Sequence, residues 1–309
     1  MPGENDALSA FGIRSKMVDQ MKKLLPFLLC SSLIISASAQ QPAVPLAAGY
    51  SLAFDEEFNE GGNFNTPSFV TPGGPCGPGG SRWMAHTPYN GDFSNFVCAS
   101  IDGWPFSTDS GFLNLRGWHD SGGNHSGLLA SVDPNANGFS ARLGYWEAKI
   151  WLPPLPAGSP RNAPGLWPAF WLDAVNEIPF TSGHTLGSEI DIMEGYSVHY
   201  RQYQVAIHDN ANGFIAQIPA PVDLSTGWHV YSCLINDDLV HFYLDGVEVA
   251  NTPTVTQSKV PMYCMVDFAF GGGWPTNTLN WGTDPGNGTA WSNQTSMKVQ
   301  YIRCWTSKK

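Results

Sequence analysis

Short stretches of alternating apolar and polar residues run through most of the chain. This alternation is typical of β-strands that bury one face. Residues 143–152 give the clearest example, because Trp146 and Ala148 share one face while Glu147 and Lys149 lie on the other. The pattern predicts a strand that carries these two groups of side chains on opposite faces.

Turn signals separate these stretches. Asp245-Gly246 stands between the alternating runs 240–244 and 247–249, which predicts a two-residue hairpin. Further strands are predicted at 50–58, 111–116, 126–130, 165–172, 203–208, 227–235, 262–270 and 297–305. The chain has 33 Gly, 24 Pro and only 13% charged residues, which suits many strands joined by tight turns. We therefore predict one large all-β domain.

The strand that begins at Glu189 is the most unusual, because three carboxylates alternate with large apolar residues. Strict alternation places Glu189 and Asp191 on one face but sends Glu194 inward with the apolar side chains. Burying an unpaired carboxylate is costly. We therefore predict a β-bulge near Ile192 or Met193, whose extra residue returns Glu194 to the acidic face.

Three acids on one face repel one another, so at least one is expected to have a raised pKa and to stay protonated near neutral pH. A carboxylate beside a carboxylic acid is the pair that most glycosidases use, with one group as nucleophile or base and the other as acid. The alternative is an edge strand whose acids only keep it soluble. The interleaved apolar residues and the aromatic-rich neighbouring segments favour the first interpretation.

Glu189-x-Asp191-x-x-Glu194 resembles the signature of glycoside hydrolase family sixteen, the laminarinase-like β-glycanases. The resemblance runs from about residue 50 to residue 305. Other segments are similar to the family in the same order, namely Phe-Asp-Glu-Glu-Phe at 54–58, the strand at 143–152, Gly-Leu-Trp-Pro-Ala-Phe-Trp-Leu at 165–172, and Trp-His followed by Asp-Gly within 228–246.

The resemblance implies a jelly-roll β-sandwich of the concanavalin A type, with two antiparallel sheets and a catalytic concave face. It implies a retaining endo-glycoside hydrolase that cleaves a β-1,3- or mixed β-1,3/1,4-glucan. Glu189 is then the nucleophile, Glu194 the acid/base, and Asp191 the residue that assists them. The chemistry needs no cofactor or metal. Family members often hold a structural calcium near the first strand, so a calcium there stays open.

Aromatic residues near the acidic strand are candidates for stacking on sugar rings. The small Ala169 between Trp167 and Trp171 leaves room for a flat ring, although either indole could belong to the core instead. His208 ends a predicted strand and is expected to contact substrate. Trp274 follows three glycines, which allow a backbone to approach a ligand closely.

Residues 59–110 are rich in Gly, Pro, Asn and Ser and predict a long loop. Its aromatic and amide side chains could line one end of a cleft or simply cover the edge of a core. These side chains are Trp83, Tyr89, Asn90 and Trp104.

The net charge of the chain limits the kinds of partner that it is expected to bind. Fifteen Lys and Arg against 26 Asp and Glu give a net charge of −11, which argues against binding nucleic acid or an anionic membrane through a basic surface. The predicted partner is a polysaccharide substrate, and we expect a monomer.

Residues 21–39 have the charged start, apolar middle and small-residue end of a signal peptide. The apolar part is too short to span a bilayer comfortably. We place cleavage after Ala39, which divides the chain into an extension with signal peptide at 1–39 and a single catalytic domain at 40–309. The mature protein is then secreted, either extracellular or periplasmic, and free of the membrane.

Five cysteines follow that cleavage point, and none has zinc-site spacing, so disulfides are the better interpretation. Cys76 and Cys98 could staple a loop. Two of Cys233, Cys264 and Cys304 could pair across strands.

Two alternative functions remain. One is a hydrolase or transglycosylase acting on another β-glycan, such as a galactan, a xyloglucan or an exopolysaccharide. The other is a non-catalytic sugar-binding sandwich, and the presence of all three carboxylates argues against it.

Overall fold

The computed structural model describes residues 41–58, 82–89, 91–97, 105–108, 111–120, 123–153, 166–179, 189–195, 201–209, 213–270 and 294–307. The signal peptide, Asn90, Trp104 and Trp274 lie outside the described residues, as do Cys76 and Cys98. The predictions made for them stay predictions.

Within these residues the chain forms sixteen β-strands, numbered in chain order. They are β1 (Tyr50–Glu56), β2 (Phe106–Ser107), β3 (Leu113–Asp120), β4 (Gly123–His125), β5 (Leu128–Ala130), β6 (Ala141–Arg142), β7 (Gly144–Trp151), β8 (Leu166–Ala174), β9 (Glu189–Glu194), β10 (Gln202–His208), β11 (Phe214–Pro219), β12 (His229–Ile235), β13 (Leu239–Leu244), β14 (Val247–Pro253), β15 (Pro261–Phe270) and β16 (Gln294–Ser307). Two short 3-10 turns lie at Val175–Glu177 and Thr256–Lys259.

The strands form two sheets with antiparallel pairing between neighbouring strands. One sheet has nine strands, in the order β14-β13-β12-β7-β16-β3-β2, with β1 also paired to β16 and β4 to β3. The other has seven strands, in the order β11-β10-β9-β8-β15-β5, with β6 also paired to β15. The all-β prediction is therefore confirmed for the described residues.

The main core lies between the two sheets and takes one side-chain face from each. Trp146 and Ala148, which share one face of β7 as predicted, pack there. Phe170 and Leu172 enter the same core from β8. Because successive side chains on a strand point to opposite faces, the residues between them lie on the outer face of the seven-stranded sheet.

A second apolar cluster covers part of that outer face. It combines strand residues with Met84, Tyr89, Phe93 and Phe96 from residues 82–97, which form part of the predicted loop. The strand residues in the cluster include Ala169 and Trp171 of β8 and Tyr263, Met265 and Ala269 of β15. We call residues 82–89 and 91–97 the covering segment.

The hairpin predicted at Asp245-Gly246 joins β13 to β14. Both residues have positive φ, 50° and 79°, as a turn of this type requires, and glycine adopts such angles at little cost. The side chain of Asp245 also accepts a hydrogen bond from the backbone N–H of Val230 at 2.8 Å. The turn is thereby tied to the neighbouring strand β12.

The structure decides one open alternative and shows that one sequence interpretation is wrong. Trp83 does not line a cleft, because it is fully buried in the main core and its Nε1–H donates to Glu56 Oε2 at 3.0 Å. Cys233, Cys264 and Cys304 are all buried free thiols, so no cross-strand disulfide forms among them. Each of these cysteines has the parity of core residues on its strand, so alternation accounts for its burial.

No helix among the described residues is both long enough and apolar enough to cross a membrane.

Candidate active site

A β-bulge in β9 brings its three acids to one face. Trp171 of β8 pairs with Asp191, whereas the preceding Phe170 pairs with Met193, so Ile192 is the extra residue. The ladder to β10 shifts at the same place. The bulge predicted from the position of Glu194 is confirmed, and Ile192 and Met193 both point into the main core.

The register of the sheet then places Glu194 in the middle of a row that crosses five strands. Its neighbours are Asp267 on β15, Ala169 on β8, Gln204 on β10 and Gln217 on β11. Cross-strand neighbours on one face lie close enough to interact directly. The row therefore surrounds the acid with polar side chains and one small residue.

Glu194 is buried, and two N–H donors hold its carboxyl group. Trp167 Nε1 donates to Oε1 and Gln204 Nε2 donates to Oε2, each at 2.9 Å. One donor comes from β8 and the other from β10, so the strands on both sides fix the orientation of the carboxyl group. These donors favour the ionised form of Glu194.

Glu189 and Asp191 lie beside His208, which ends β10 and pairs with Glu189 in the ladder. The Nε2 atom of His208 is 3.0 Å from Asp191 Oδ2 and 3.9 Å from Glu189 Oε1. The side chain of His208 is 44% exposed, whereas those of the two acids are mostly buried. Among the described residues of the site, His208 thus lies on the more open side of the two acids.

The electrostatics keep protons in the site near neutral pH. Burial is the largest cause in each acid, and it raises the pKa of Glu189 to about 7, of Asp191 to about 7 and of Glu194 to about 8. The neighbouring charge of Asp191 adds to the effect on Glu194. The hydrogen bond to Asp191 raises the pKa of His208 to about 9. The raised carboxyl pKa predicted from the sequence is confirmed for all three acids of β9.

A fourth acid, Asp267 on β15, lies beneath the covering segment. It accepts hydrogen bonds from Trp171 Nε1 at 2.8 Å and from the backbone N–H of Ala269 at 3.1 Å. Burial raises the pKa of Asp267 to about 8 despite these donors. The neighbouring charges of Glu194 and Asp191 add to this effect on Asp267.

The predicted binding residues fall in different environments. Trp167 is half-buried beside Glu194, where contact with a bound ligand stays a prediction. Trp171 is only 4% exposed, with Phe93 against its ring at 5.9 Å between centroids. The structure therefore assigns Trp171 to the covered cluster, where a sugar ring cannot stack on it. His208 lies among the acids, as expected of a residue that faces the site.

Two acids near the end of the first strand, where the resemblance leaves a calcium open, already have a cationic partner. Asp55 and Glu57 both pair with the guanidinium of Arg303, and Asp55 Oδ1 is 3.0 Å from its Nε. Arg303 thereby supplies the positive charge that a cation would otherwise provide. Within the described residues, the group spaced to share a metal ion is Glu189, Asp191 and His208, whose ligand atoms lie within 4.8 Å of one another.

Gln204 and Gln217 are site residues that the sequence analysis did not single out. Gln204 and His208 are four residues apart on β10, an even spacing. Alternation alone would therefore have placed both side chains on the same face of the sheet. Gln217 lies on β11, a strand that was not predicted because residues 214–219 alternate only weakly.

Comparison with curated proteins finds two relatives in Rhizobium meliloti (strain 1021). Endo-1,3-1,4-beta-glycanase EglC is 26% identical over 185 residues, which is 59% of this chain and 33% of the relative. Endo-1,3-1,4-beta-glycanase ExsH is 25% identical over 185 residues, which again is 59% of this chain and 33% of the relative. The aligned region is thus about a third of the length of these relatives.

Solved structures show the same fold. The laminarinase from Flavobacterium sp. UMI-01 aligns with 83% of this chain and 100% of its own, at a TM-score of 0.59 and 18% identity. The endo-beta-1,3-glucanase from Pyrococcus furiosus aligns with 86% of this chain and 99% of its own, at a TM-score of 0.60 and 21% identity. Together with the two antiparallel sheets, these likenesses confirm the predicted jelly-roll sandwich.

The family model described as Glycosyl hydrolases family 16 matches residues 135–303, more than half of the chain, and this span contains the bulged strand and every strand that borders it. The chain belongs to glycoside hydrolase family 16.

Proposed function

We propose that this protein is a retaining endo-β-glucanase that hydrolyses β-1,3- or mixed β-1,3/1,4-linked glucan. The observation that carries the proposal is the bulge in β9, which sets Glu194 on the same face as Glu189 and Asp191. Family membership supports the glycosidase chemistry. The names of the two Rhizobium relatives, both endo-1,3-1,4-beta-glycanases, support the substrate class.

In the first step the Glu189 carboxylate attacks the anomeric carbon, and the bond from that carbon to the leaving oxygen breaks. Glu194 gives its proton to that oxygen, so the departing sugar leaves as an alcohol. A glycosyl ester then joins the substrate to Glu189. The raised pKa of Glu194 suits this step, because the group must hold a proton near neutral pH.

In the second step Glu194 is a carboxylate and takes a proton from water. The water oxygen attacks the anomeric carbon, the ester bond breaks and Glu189 is released as a carboxylate. Two displacements restore the β configuration. The donors Trp167 and Gln204 suit this step, because they stabilise the ionised Glu194.

Asp191 lies between the nucleophile and His208 and hydrogen-bonds to Glu189, which lowers the pKa of Glu189 against the effect of burial. The charge of His208 acts in the same direction. Together they favour an ionised nucleophile while Glu194 still holds its proton. Asp191 and His208 thus separate the protonation states of the two glutamates.

A panel of polysaccharides tests the proposal. Purified protein is incubated separately with mixed-linkage glucan, laminarin, xyloglucan, agar and carrageenan, and early products are followed by proton NMR. We expect oligosaccharides of several lengths from the first two substrates, with the β-anomer appearing first. Release of the α-anomer first would contradict retention.

Two other outcomes would redirect the proposal. Products from xyloglucan, agar or carrageenan alone would contradict the substrate class and keep the chemistry. Binding to a glucan on an affinity gel without any product would identify a non-catalytic sugar-binding sandwich.

Replacement of Gly195 by alanine is expected to lower kcat by up to about 10²-fold, because a displacement near 1 Å at a catalytic group has that effect. Gly195 follows Glu194 directly, and a Cβ there would lie 2.8 Å from Cγ of Pro168. The ring of Pro168 is held within β8, so β9 must shift and carry Glu194 with it. Initial rates on mixed-linkage glucan measure the effect.

Gly227→Ala is the matched control, since nothing lies within 4 Å of a Cβ at that position. Its rate should equal that of the wild type. An unchanged kcat in Gly195→Ala would show that the strand accommodates the methyl group without moving the acid.

A further inference from the structure

A chain of side-chain amides leads from the edge of the seven-stranded sheet to Glu194. Gln217 Nε2 on β11 donates to Gln204 Oε1 on β10 at 2.6 Å, and Gln204 Nε2 donates to Glu194 Oε2 at 2.9 Å. Gln204 is only 7% exposed, whereas Gln217 is exposed. The three residues are direct neighbours in the strand register, so the backbone ladder aligns them.

The direction of this chain is fixed by chemistry. A glutamine side chain has one acceptor oxygen and one donor nitrogen, and the hydrogen bonds decide which way the amide points. Because Gln217 donates to the oxygen of Gln204, the nitrogen of Gln204 points at Glu194. A reversed Gln204 would set its oxygen against the carboxylate and its nitrogen against the donor of Gln217.

The amide chain opposes the other influences on Glu194. Burial and the neighbouring charge of Asp191 favour its protonated form. Glu189 and Asp267 are the other acids that interact with it, and the charge of Glu194 raises the pKa of both. His208, Trp167 and Gln204 favour its carboxylate. Of the two N–H donors, Gln204 is the one whose orientation depends on another side chain.

We propose that Gln204 and Gln217 are positioning residues that orient Glu194 and set the balance between its acid and base forms. The inference rests on the proposed function, in which Glu194 acts as an acid in one step and as a base in the next. Loss of the amide donor favours the acid form. Glycosyl transfer to Glu189 is then retained at higher pH, and the base-dependent release of the ester becomes slower.

The enzymatic test compares Gln204→Met and Gln217→Met with the wild type on two substrates. For mixed-linkage glucan, the alkaline limb of kcat/KM should move upward by about one pH unit in Gln204→Met, since one donor to a charged group is lost. The shift in Gln217→Met should have the same direction and be smaller. For an aryl β-oligoglucoside with a highly activated leaving group, kcat should fall about tenfold in Gln204→Met, because ester hydrolysis then limits turnover and one pH unit corresponds to a factor of ten.

A matched control and a direct titration separate the possible failures. Gln300→Met makes the same change in β16 of the other sheet and should leave both readouts unchanged. Carbon-13 NMR of carboxyl-labelled glutamate, assigned by comparison with Glu194→Gln, measures the titration of Glu194 without turnover. Gln217 is exposed on an edge strand, so Gln217→Met is expected to fold. If Gln204→Met does not fold, the test is made with Gln217→Met alone.

Identical titration of Glu194 in the wild type and in folded Gln217→Met and Gln204→Met would overturn the inference. Failure of the wild type to hydrolyse any glucan would overturn the proposed function instead. An upward shift in the NMR titration supports the amide chain in either case.

Discussion

Glu189→Gln is expected to lower kcat/KM for mixed-linkage glucan by on the order of 10⁵-fold, the scale of loss on removal of a catalytic nucleophile. Glutamine keeps the size of the side chain and can still accept a hydrogen bond, but its amide cannot form the glycosyl ester. The fold should be unaffected, because an amide replaces a buried carboxyl whose charge burial disfavours. Product release measured by reducing-end assay checks the rate, and thermal unfolding checks the fold.

Glu248→Gln is a suitable control for that substitution. Glu248 lies on β14 of the other sheet, and its carboxylate accepts a hydrogen bond from Asn251 at 2.8 Å. Activity equal to that of the wild type is expected. If Glu189→Gln retained more than a few per cent of the wild-type rate, Glu189 would not be the nucleophile.

Glu194→Ala is expected to lower the rate on glucan by about 10²- to 10⁴-fold, the usual contribution of a general acid/base. The loss should depend on the leaving group, because an activated aryl glycoside departs without protonation. Added azide should restore turnover of that substrate by attacking the glycosyl ester in place of water, and the product should be the β-configured glycosyl azide. NMR of the product distinguishes this result from direct attack on the substrate.

Glu194→Gln serves as the second member of this pair. It keeps the side-chain length between Trp167 and Gln204, so a similar loss on glucan would come from the missing proton rather than from a cavity. The acid/base role would be contradicted if Glu194→Ala lowered the rate equally for substrates with good and poor leaving groups and if azide had no effect.

Local sequence rules were sufficient for the acidic strand β9 itself. Glu194 is an odd number of residues from Glu189, so strict alternation would bury its charge at a high cost. We predicted a bulge for that reason, and the bulge is present at Ile192. The faces of β7 and β8 followed from the same alternation. Each of these features depends only on residues that are neighbours along the chain.

The surroundings of the site depend on residues that are far from it in the sequence. Rules about neighbouring residues cannot predict such contacts. Whether Trp171 faces a ligand is decided by Phe93, and Phe93 precedes it by more than seventy positions in a loop without a periodic pattern. Gln204 reaches Glu194 only because β10 pairs with β9 in one particular register. Cys233, Cys264 and Cys304 are buried in one core as free thiols, an outcome that depends on how strands distant in sequence pack together.

The covering segment has a consequence for how such an enzyme changes over evolution. Phe93 contacts the rings of both Trp167 and Trp171, which donate hydrogen bonds to Glu194 and Asp267 respectively. By excluding water from this side of the acids, the segment contributes to the burial that raises their pKa. The pH at which the acids exchange protons is therefore partly a property of a loop. Natural variation in that loop can therefore shift this pH while Glu189, Asp191 and Glu194 are all retained.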